Sequence, residues 1–254
     1  MQSLYTNGLE HLYDAMYQTF INYEEEYLFY STLLNKYKKN QVLEMGSGTG
    51  NLAKYFVANG FDYHGLDYSA DMVALASQKL SKKHFIQGDM RDFKLNQTTQ
   101  SIIITGRTSS YLLSNKNVHN ALHAIYNNLE NQGILCFDFI DANRFIKSIK
   151  GGVNMEHAAT YKQKTYYRES FLTPTTSNNI MFNWNAKYYE VTEDSKKLIT
   201  QDDSEVRAFT KNEWELFLYL NDFELIECID KPSYMFDTYV MVARKMAQKN
   251  PNVV

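Results

Sequence analysis

Two periodicities alternate along the first 140 residues of the chain. Segments 4–20 and 22–38 carry apolar and aromatic residues at helical spacing, which predicts two leading helices. Short apolar runs typical of buried strands then alternate with helical stretches: strands at 42–45, 63–67, 84–89, 101–105 and 134–140, helices at 50–59, 70–80 and 117–130. Because such alternation forms right-handed βαβ units, we expect an α/β fold whose mostly parallel sheet has helices on both faces. Gly60 and Gly133 are the expected left-handed residues at two helix ends.

The period changes to two near residue 153. Residues 180–189 alternate apolar and polar side chains, and the runs 161–172 and 197–209 flank them, which predicts a small antiparallel sheet inserted after the fifth strand. The α/β pattern resumes at Thr210, whose spacing to Glu213 is that of a capping box. Two further strands, at 223–229 and 239–244, bring the main sheet to seven.

Glycines dominate the link between the first strand and the following helix, which reads Gly46-Ser47-Gly48-Thr49-Gly50. Glycines at alternate positions let the backbone turn tightly and let a ligand approach the main chain. A nicotinamide dinucleotide loop needs another glycine at the sixth place, where this chain has Asn51. Asp67 ends the second strand and suits a carboxylate that accepts from two ribose hydroxyls. These residues together predict a nucleoside site.

The third strand ends in Gly88-Asp89-Met90-Arg91-Asp92, so a second carboxylate arrives at the same edge of the sheet. Asp89 can accept a hydrogen bond from an exocyclic amine while Met90 packs on a flat base. The nucleoside is therefore expected to be adenosine.

At these residues the chain resembles the class I S-adenosylmethionine-dependent methyltransferases, which share the E/D-x-G-x-G-x-G loop, the acid after strand two and a G-D-[MA] segment after strand three. It is similar in particular to the branch that includes the bacterial amino-sugar N-methyltransferases. The segments that carry this similarity are Tyr13-Asp14 followed by Tyr17, Ser69 to Met72, and Gly88 to Phe93. The resemblance implies a Rossmann-like fold, S-adenosylmethionine as the cofactor and S-adenosylhomocysteine as the product.

The resemblance also implies a role for individual residues. The set assigned to the cofactor is Tyr13, Tyr17, Gly46, Ser47, Gly48, Asp67, Tyr68, Met72, Asp89, Met90 and Gly106. The loop residues and Gly106 would line the methionine moiety, the acids would hold the ribose and the adenine amino group, and Tyr68, Met72 and Met90 would enclose the adenine. Tyr17 would close over the cofactor from the leading helix, and either tyrosine of that helix could contact the cationic sulfur.

Proton transfer is assigned first to Tyr111. In the amino-sugar enzymes the segment after strand four often bears a histidine at this place, which puts Tyr111 on the acceptor side. A hydroxyl acceptor would need a base, for which the further candidates are His123, Asp138, Asp141, Glu156 and His157. Asp138 and Asp141 have two open interpretations, as acids of the site or as caps of the next helix.

Composition and charge disfavour two kinds of partner, nucleic acids and membranes. The net charge is −3, only six of the 26 cationic residues are arginines, and no basic block occurs, so a nucleic-acid substrate is disfavoured. No apolar run reaches the ~20 residues of a membrane span and no secretion signal begins the chain, so we expect a cytoplasmic protein without a membrane partner. Cys136 and Cys228 lie in apolar runs and are expected to be buried thiols. His119 and His123 lack a third ligand, so no metal site is expected.

These expectations divide the chain into four parts. They are an N-terminal helical lid at 1–40, a cofactor-binding core at 41–152, an antiparallel insertion at 153–209 and a return to the core at 210–254. A small sheet with one apolar face must bury that face, so the insertion is expected to cover the acceptor site or to form the surface of a homodimer.

The expected function is methylation of a small polar molecule at nitrogen. Two alternatives remain. A non-catalytic S-adenosylmethionine-binding protein would keep every cofactor motif, whereas a nicotinamide-dependent oxidoreductase is disfavoured by Asn51 and by the Asp89-Met90 pair.

Overall fold

The computed structural model describes residues 9–149, 152–175, 180–234 and 237–247. The helices are α1 Glu10–Tyr17, α2 Tyr23–Lys36, α3 Ala53–Ala58, α4 Ala70–Lys79, α5 Asn115–Asn128, α6 Ala142–Ile149 and α7 Lys211–Leu220. The strands are β1 Gln41–Met45, β2 Asp62–Asp67, β3 Phe85–Gln87, β4 Thr99–Ile104, β5 Leu129–Asp138, β6 Val153–Tyr161, β7 Lys164–Pro174, β8 Met181–Val191, β9 Lys196–Arg207, β10 Phe223–Lys231 and β11 Thr238–Lys245.

The main sheet has seven strands in the order β10-β11-β5-β4-β1-β2-β3. Strands β1 to β5 pair in parallel, and β11 is antiparallel to both of its neighbours. Four of the five residues of β1 are buried, as expected for a central strand covered on both faces. The strand order reverses between β1 and β4, which places a crevice at the carboxyl ends of these strands. The predicted seven-stranded α/β architecture is confirmed.

Two apolar layers cover the main sheet. Successive β1 residues point to opposite faces, so Val42 packs with Tyr30 and Phe56 on one side while Leu43 packs with Leu122 and Trp214 on the other. Helices α2, α3 and α4 form the first layer, and α5 and α7 form the second. The predicted capping box begins α7: the Thr210 and Glu213 side chains each accept from the other's backbone N–H.

The second sheet is an antiparallel meander of β6, β7, β8 and β9 between α6 and α7. The sequence pattern missed β6, which pairs with β7 through a tight turn at Lys162 and Gln163, both with positive φ. One face of this sheet packs on α1, where Leu12 and Met16 are buried with Ala159, Ala186 and Tyr188. The leading helix α1 therefore packs directly on the inserted sheet.

The structure agrees with some of the local predictions for glycines and cysteines and differs from others. Gly60 has the expected positive φ, but Gly133 lies inside β5, because α5 ends at Asn128 and the left-handed residue is Gln132. Cys136 is buried, whereas the prediction for Cys228 is wrong: it is exposed on β10, an edge strand of the main sheet. Residues 4–8 of the first predicted helix lie outside the described residues.

No helix in the described part of the chain combines the length and the apolar composition that crossing a bilayer requires.

Candidate active site

A cavity of about 620 Å³ lies at the carboxyl ends of β1, β2 and β4, and is closed by α1 and the inserted sheet. The residues that the sequence assigned to the cofactor all line this cavity, as does the first candidate for proton transfer: Tyr13, Tyr17, Gly46, Ser47, Gly48, Asp67, Tyr68, Met72, Asp89, Met90, Gly106 and Tyr111. The fold thus brings together residues that are up to 98 positions apart in the sequence. Their individual roles stay predictions.

The glycine loop has the geometry that its sequence requires. Gly46, Gly48 and Gly50 all have positive φ. A Cβ atom at Gly46 would lie 2.5 Å from the Thr108 side chain, whereas at Gly48 it would meet nothing within 4 Å. The first glycine therefore permits close packing against the loop after β4, and the second presents bare main chain to the cavity.

Asp67 is fixed by the same loop. Its carboxylate accepts hydrogen bonds from the backbone N–H of Gly48 at 2.8 Å and of Ser69 at 2.9 Å. Burial raises the pKa of this carboxyl, and the two backbone donors oppose that rise. The acid and the loop are thus joined by hydrogen bonds in one corner of the cavity.

The residues expected around adenine extend from the outer rim of the cavity to its buried wall. Tyr68 is 74% exposed, whereas Met72 is buried on α4. The Arg91 Nε donates to both Asp89 oxygens, at 2.9 and 3.0 Å, and this guanidinium lowers the Asp89 pKa. Sequence reasoning missed Arg91, which fixes the orientation of the Asp89 carboxylate at the rim.

Helix α1 carries two stacked rings over the cavity. The centroids of Tyr13 and Tyr17 are 3.8 Å apart, and burial raises the Tyr13 pKa well above its usual value. Between them Asp14 points to the core, where its Oδ1 accepts from Thr49 at 2.5 Å, Asn51 at 2.8 Å and Lys79 at 2.5 Å. We call this set of four side chains the Asp14 latch, because it fastens α1 to the glycine loop and to α4.

Glu44 is a buried acid at the first place of the E/D-x-G-x-G-x-G loop. It lines the cavity and accepts from the Tyr63 hydroxyl at 2.5 Å and the Thr105 hydroxyl at 3.0 Å. Burial raises the pKa of Glu44 to about 7. A strongly perturbed carboxyl in a cleft is a candidate functional group, and its place before the glycine loop was the available signal.

The loop after β4 forms the wall beside Gly106. Arg107 has a left-handed backbone, is buried, and lies with its guanidinium carbon 4.4 Å from the centre of the Tyr234 ring. Its backbone N–H donates to Asp138 at 2.7 Å. Tyr111 follows on the 3-10 helix Thr108–Tyr111 and is 41% exposed.

The opposite wall comes from the inserted sheet. Its contributions to the cavity include Arg168 on β7, Trp184 on β8 and Asp202 on β9. Arg168 is buried and donates to the Tyr17 hydroxyl at 3.3 Å. Sequence reasoning missed all three residues, since no motif marks a strand register.

The remaining acid and base candidates do not line the cavity. Glu156 and His123 are exposed, and His119 and His123 stack on the surface of α5. Asp138 does not cap a helix but binds the Arg107 N–H, and burial raises its pKa to about 6. Asp141 precedes α6 and lies 3.7 Å from Arg144. His157 packs on Phe20 at a centroid distance of 4.4 Å.

Ser109 and Ser110 connect the loop after β4 to the end of β5 and to the residues that follow it. Ser109 donates to the Asp138 carbonyl, and Ser110 accepts from the Ile140 N–H. Within the part of the chain that the structure covers, no cluster of three metal-ligating side chains occurs.

Comparison with known proteins identifies the family. Residues 42–133 match the model of a methyltransferase domain. An uncharacterized methyltransferase of Bacillus cereus (strain ATCC 10987 / NRS 248) is 30% identical over 189 residues, which are 68% of this chain and 87% of that protein. Other curated relatives are matched over only about two fifths of their own length, 42% and 41%. The chain belongs to the class I methyltransferases.

Solved structures share the fold over nearly the whole chain. The sugar N-methyltransferase KedS8 from Streptoalloteichus sp. ATCC 53650 has a TM-score of 0.78 at 17% identity, covering 97% of this chain and 98% of that one. CalS10 from Micromonospora echinaspora, an amino pentose methyltransferase with S-adenosylmethionine bound, has a TM-score of 0.72 at 18% identity, covering 97% and 100%. At these identities the likeness shows the fold alone.

Proposed function

We propose that this methyltransferase methylates a nitrogen atom of a small polar molecule. The observation that carries the proposal is the shared cavity: the glycine loop and Asp67 line one side of it, and the polar residues Arg168, Trp184 and Asp202 line the other. A volume of about 620 Å³ suits a cofactor with a compact acceptor. The sugar N-methyltransferase activity of KedS8, which has this fold, supports nitrogen as the target.

The cofactor is S-adenosylmethionine and the product S-adenosylhomocysteine. The residues present fit this group. Gly48 offers bare main chain, the Asp67 carboxylate is held beside it, and the buried Ser47 Oγ has no hydrogen-bond partner among the described residues. Ser47, Gly46 and Gly106 would hold the methionine moiety, Asp67 the ribose hydroxyls, and Asp89, Met72, Met90 and Tyr68 the adenine. When bound, the cofactor would supply a methyl group activated on a sulfonium sulfur: the lone pair of the amine would form the nitrogen–carbon bond, and the sulfur would keep the electron pair of the carbon–sulfur bond that breaks.

The protein's part in the reaction is to orient the acceptor and to exclude water. Positioning of this kind contributes up to ~7 to 11 kcal/mol in favourable cases. Tyr13 and Tyr17 place aromatic faces over the cavity. Contact with such a face stabilises a cationic group by about 0.5 to 2 kcal/mol. The acceptor nitrogen must be unprotonated before attack, and it releases one proton afterwards. We assign the transfer of that proton to Tyr111, which lines the cavity and is 41% exposed: its hydroxyl would take up the proton from the amine while it passes its own proton to solvent.

The lid and the insertion act together in this proposal. Residues 9–40 supply α1 over the cofactor side, and the sheet of 153–209 roofs the acceptor side. Their packing through Met16, Ala186 and Tyr188 supports joint closure of the cavity, because neither element buries its apolar face alone.

Isothermal titration calorimetry tests the cofactor part of the proposal. S-adenosylhomocysteine is expected to bind with one site per chain, and NAD is not expected to bind, because Asn51 replaces the third glycine of a dinucleotide loop. Tight NAD binding without a response to S-adenosylhomocysteine would contradict the proposal.

A further inference from the structure

The carboxyl groups of Glu26 and Glu44 line the cavity at the end where Gly46 and Gly106 lie. Glu44 precedes Gly46 by two positions and accepts from the hydroxyl of Thr105, the residue before Gly106, at 3.0 Å. Glu26 reaches the same cavity from α2. Burial raises the Glu44 pKa and the charge of Glu26 adds to the rise, so the two carboxyl groups lie near each other.

Lys231 holds one oxygen of Glu26. Its Nζ donates to the Glu26 Oε1 at 2.5 Å, and the lysine and glutamate side chains are only 8% and 18% exposed. Lys231 ends β10, and its Nζ lies 5.2 Å from the centre of the Phe29 ring, so the ammonium is held between α2 and the main sheet. A carboxylate can accept about four hydrogen bonds, and the Glu26 Oε2 accepts none from the described residues. The second oxygen is thus available to a ligand in the cavity.

Glu44 is less suited than Glu26 to hold a charged group of a ligand. Both of its oxygens already accept, one from Tyr63 at 2.5 Å and the other from Thr105 at 3.0 Å. Glu44 is 3% exposed, and burial raises its pKa to about 7, which favours the neutral form. Glu26, by contrast, combines an ionic partner with an oxygen that no described donor uses.

The surrounding charges favour a cation at this place. Burial raises the pKa of the neighbouring Asp138, Arg107 and Lys231 lower it, and Glu26 raises it further, so these charges act on one another. Together with Glu44, three carboxyl groups therefore share the two cations. Such surroundings attract a cationic group of a ligand and repel an anionic one.

We infer that Glu26 binds the ammonium group of the methionine moiety, with Oε2 as the acceptor and Oε1 held by Lys231. The inference rests on the proposed function, which places the methionine moiety on Gly46, Ser47 and Gly106. Within that moiety, the carboxylate has the wrong charge for this place and the sulfur has no hydrogen to donate. The site thus selects adenosyl ligands that keep the amino group.

Ligands that differ by one group test the inference on the wild-type protein. Calorimetry compares S-adenosylhomocysteine with two analogues. In the butanoate analogue the tail on sulfur lacks only the amino group, and in the propylamine analogue it lacks only the carboxylate. S-adenosylhomocysteine is expected to bind roughly tenfold or more tightly than the butanoate analogue, because the analogue cannot form the charge-assisted hydrogen bond. Equal affinities for these two ligands would overturn the inference.

Variants locate the effect. Glu26→Gln is expected to weaken S-adenosylhomocysteine and the propylamine analogue by the same roughly tenfold factor and to leave the butanoate analogue unchanged. Glutamine keeps the size of the side chain and an oxygen for Lys231. Glu25→Gln is the matched control, because Glu25 is exposed on the same helix and lies outside the cavity lining. Glu44→Gln is expected to affect the three ligands alike, since Glu44 bonds to β2 and to the loop after β4.

A crystal structure of the S-adenosylhomocysteine complex supplies a measurement that needs no variant. We expect the amino nitrogen within about 3.2 Å of a Glu26 carboxylate oxygen. An amino nitrogen that contacts only backbone carbonyls or Glu44, or a loss of the preference in Glu44→Gln instead of Glu26→Gln, would overturn the inference and leave the proposed function standing. Failure to bind S-adenosylhomocysteine at all would refute the proposed function itself.

Discussion

The side-chain amide of Asn51 donates a 2.8 Å hydrogen bond to the carboxylate of Asp14, and so joins the glycine loop to helix α1. The residue that sets this loop apart from a dinucleotide loop is therefore part of the Asp14 latch. Thr49 and Lys79 bond to the same carboxylate oxygen. The position of Tyr13 and Tyr17 over the cavity depends on these contacts, because both flank Asp14 on α1.

Asn51→Ala is expected to loosen the leading helix. The lost hydrogen bond to a charged group is worth about 1.5 kcal/mol, which corresponds to a roughly tenfold weaker S-adenosylhomocysteine complex. Amide hydrogen exchange in Glu10–Tyr17 should become faster in the same variant. Asn59→Ala is the control, since Asn59 is exposed and bonds only to its own helix. Unchanged exchange in α1 would show that the latch does not hold the helix.

Asp67→Asn is expected to weaken cofactor binding by about 1.5 to 3 kcal/mol, or roughly 10- to 100-fold, because charge-assisted hydrogen bonds to the ribose are lost. Asp67→Asn keeps one accepting oxygen for the Gly48 or the Ser69 N–H, whereas Asp67→Ala removes both hydrogen bonds. Calorimetry with S-adenosylhomocysteine measures the change, and Asp62→Asn on the exposed end of β2 is the control. An unchanged affinity would place the ribose elsewhere.

The buried carboxyl of Glu44 is expected to make the free energy of unfolding depend on pH. Its pKa is about 4.5 in an unfolded chain and about 7 in the folded protein, because burial favours the neutral form. The folded state therefore binds more protons between these values, and this contribution to the free energy of unfolding falls as the pH rises from 4.5 to 7, then stays constant. The total change is of the order of 3 kcal/mol.

Urea unfolding of the wild type and of Glu44→Gln at pH 5 and pH 8 isolates this contribution. The wild type should lose stability relative to the variant as the pH rises, since glutamine does not titrate. A difference between the two proteins that is the same at both pH values would mean that Glu44 is ionised throughout the range.

Tyr111→Phe tests the assignment of the proton. If Tyr111 accepts it, turnover should fall by ~100-fold or more with little change in cofactor affinity. The rise of the wild-type rate with pH should also change shape in the variant. If the ring only shapes the pocket, the Michaelis constant of the acceptor should move while turnover is kept.

The cofactor side could be predicted from the sequence because its residues follow strands within short motifs. Gly46 and Asp67 end neighbouring parallel strands, so their proximity follows from the fold class. Arg168 and Asp202 carry no such signal. They reach the cavity through the register of an antiparallel sheet and through its packing on α1, and a shift of one residue would turn both outward.

The local errors have equally physical causes. Gly133 looked like a helix cap, but the chain enters β5 directly after Asn128, and Gln132 takes the left-handed conformation instead. Cys228 lies in an apolar run, but an edge strand exposes one face that periodicity cannot identify. Arg91 is next to a predicted site residue, yet its bond to Asp89 depends on the turn that follows β3.

Methyl transfer to a small amine tests the central claim most directly. The protein is incubated with S-adenosylmethionine and a panel of small amines. Mass spectrometry then measures the amounts of S-adenosylhomocysteine and of methylated amine. We expect the two products in equal amounts, with the methyl group on nitrogen, and a loss of both in Asp67→Asn. Methylation of folded RNA or protein with no turnover on any small amine would contradict the account.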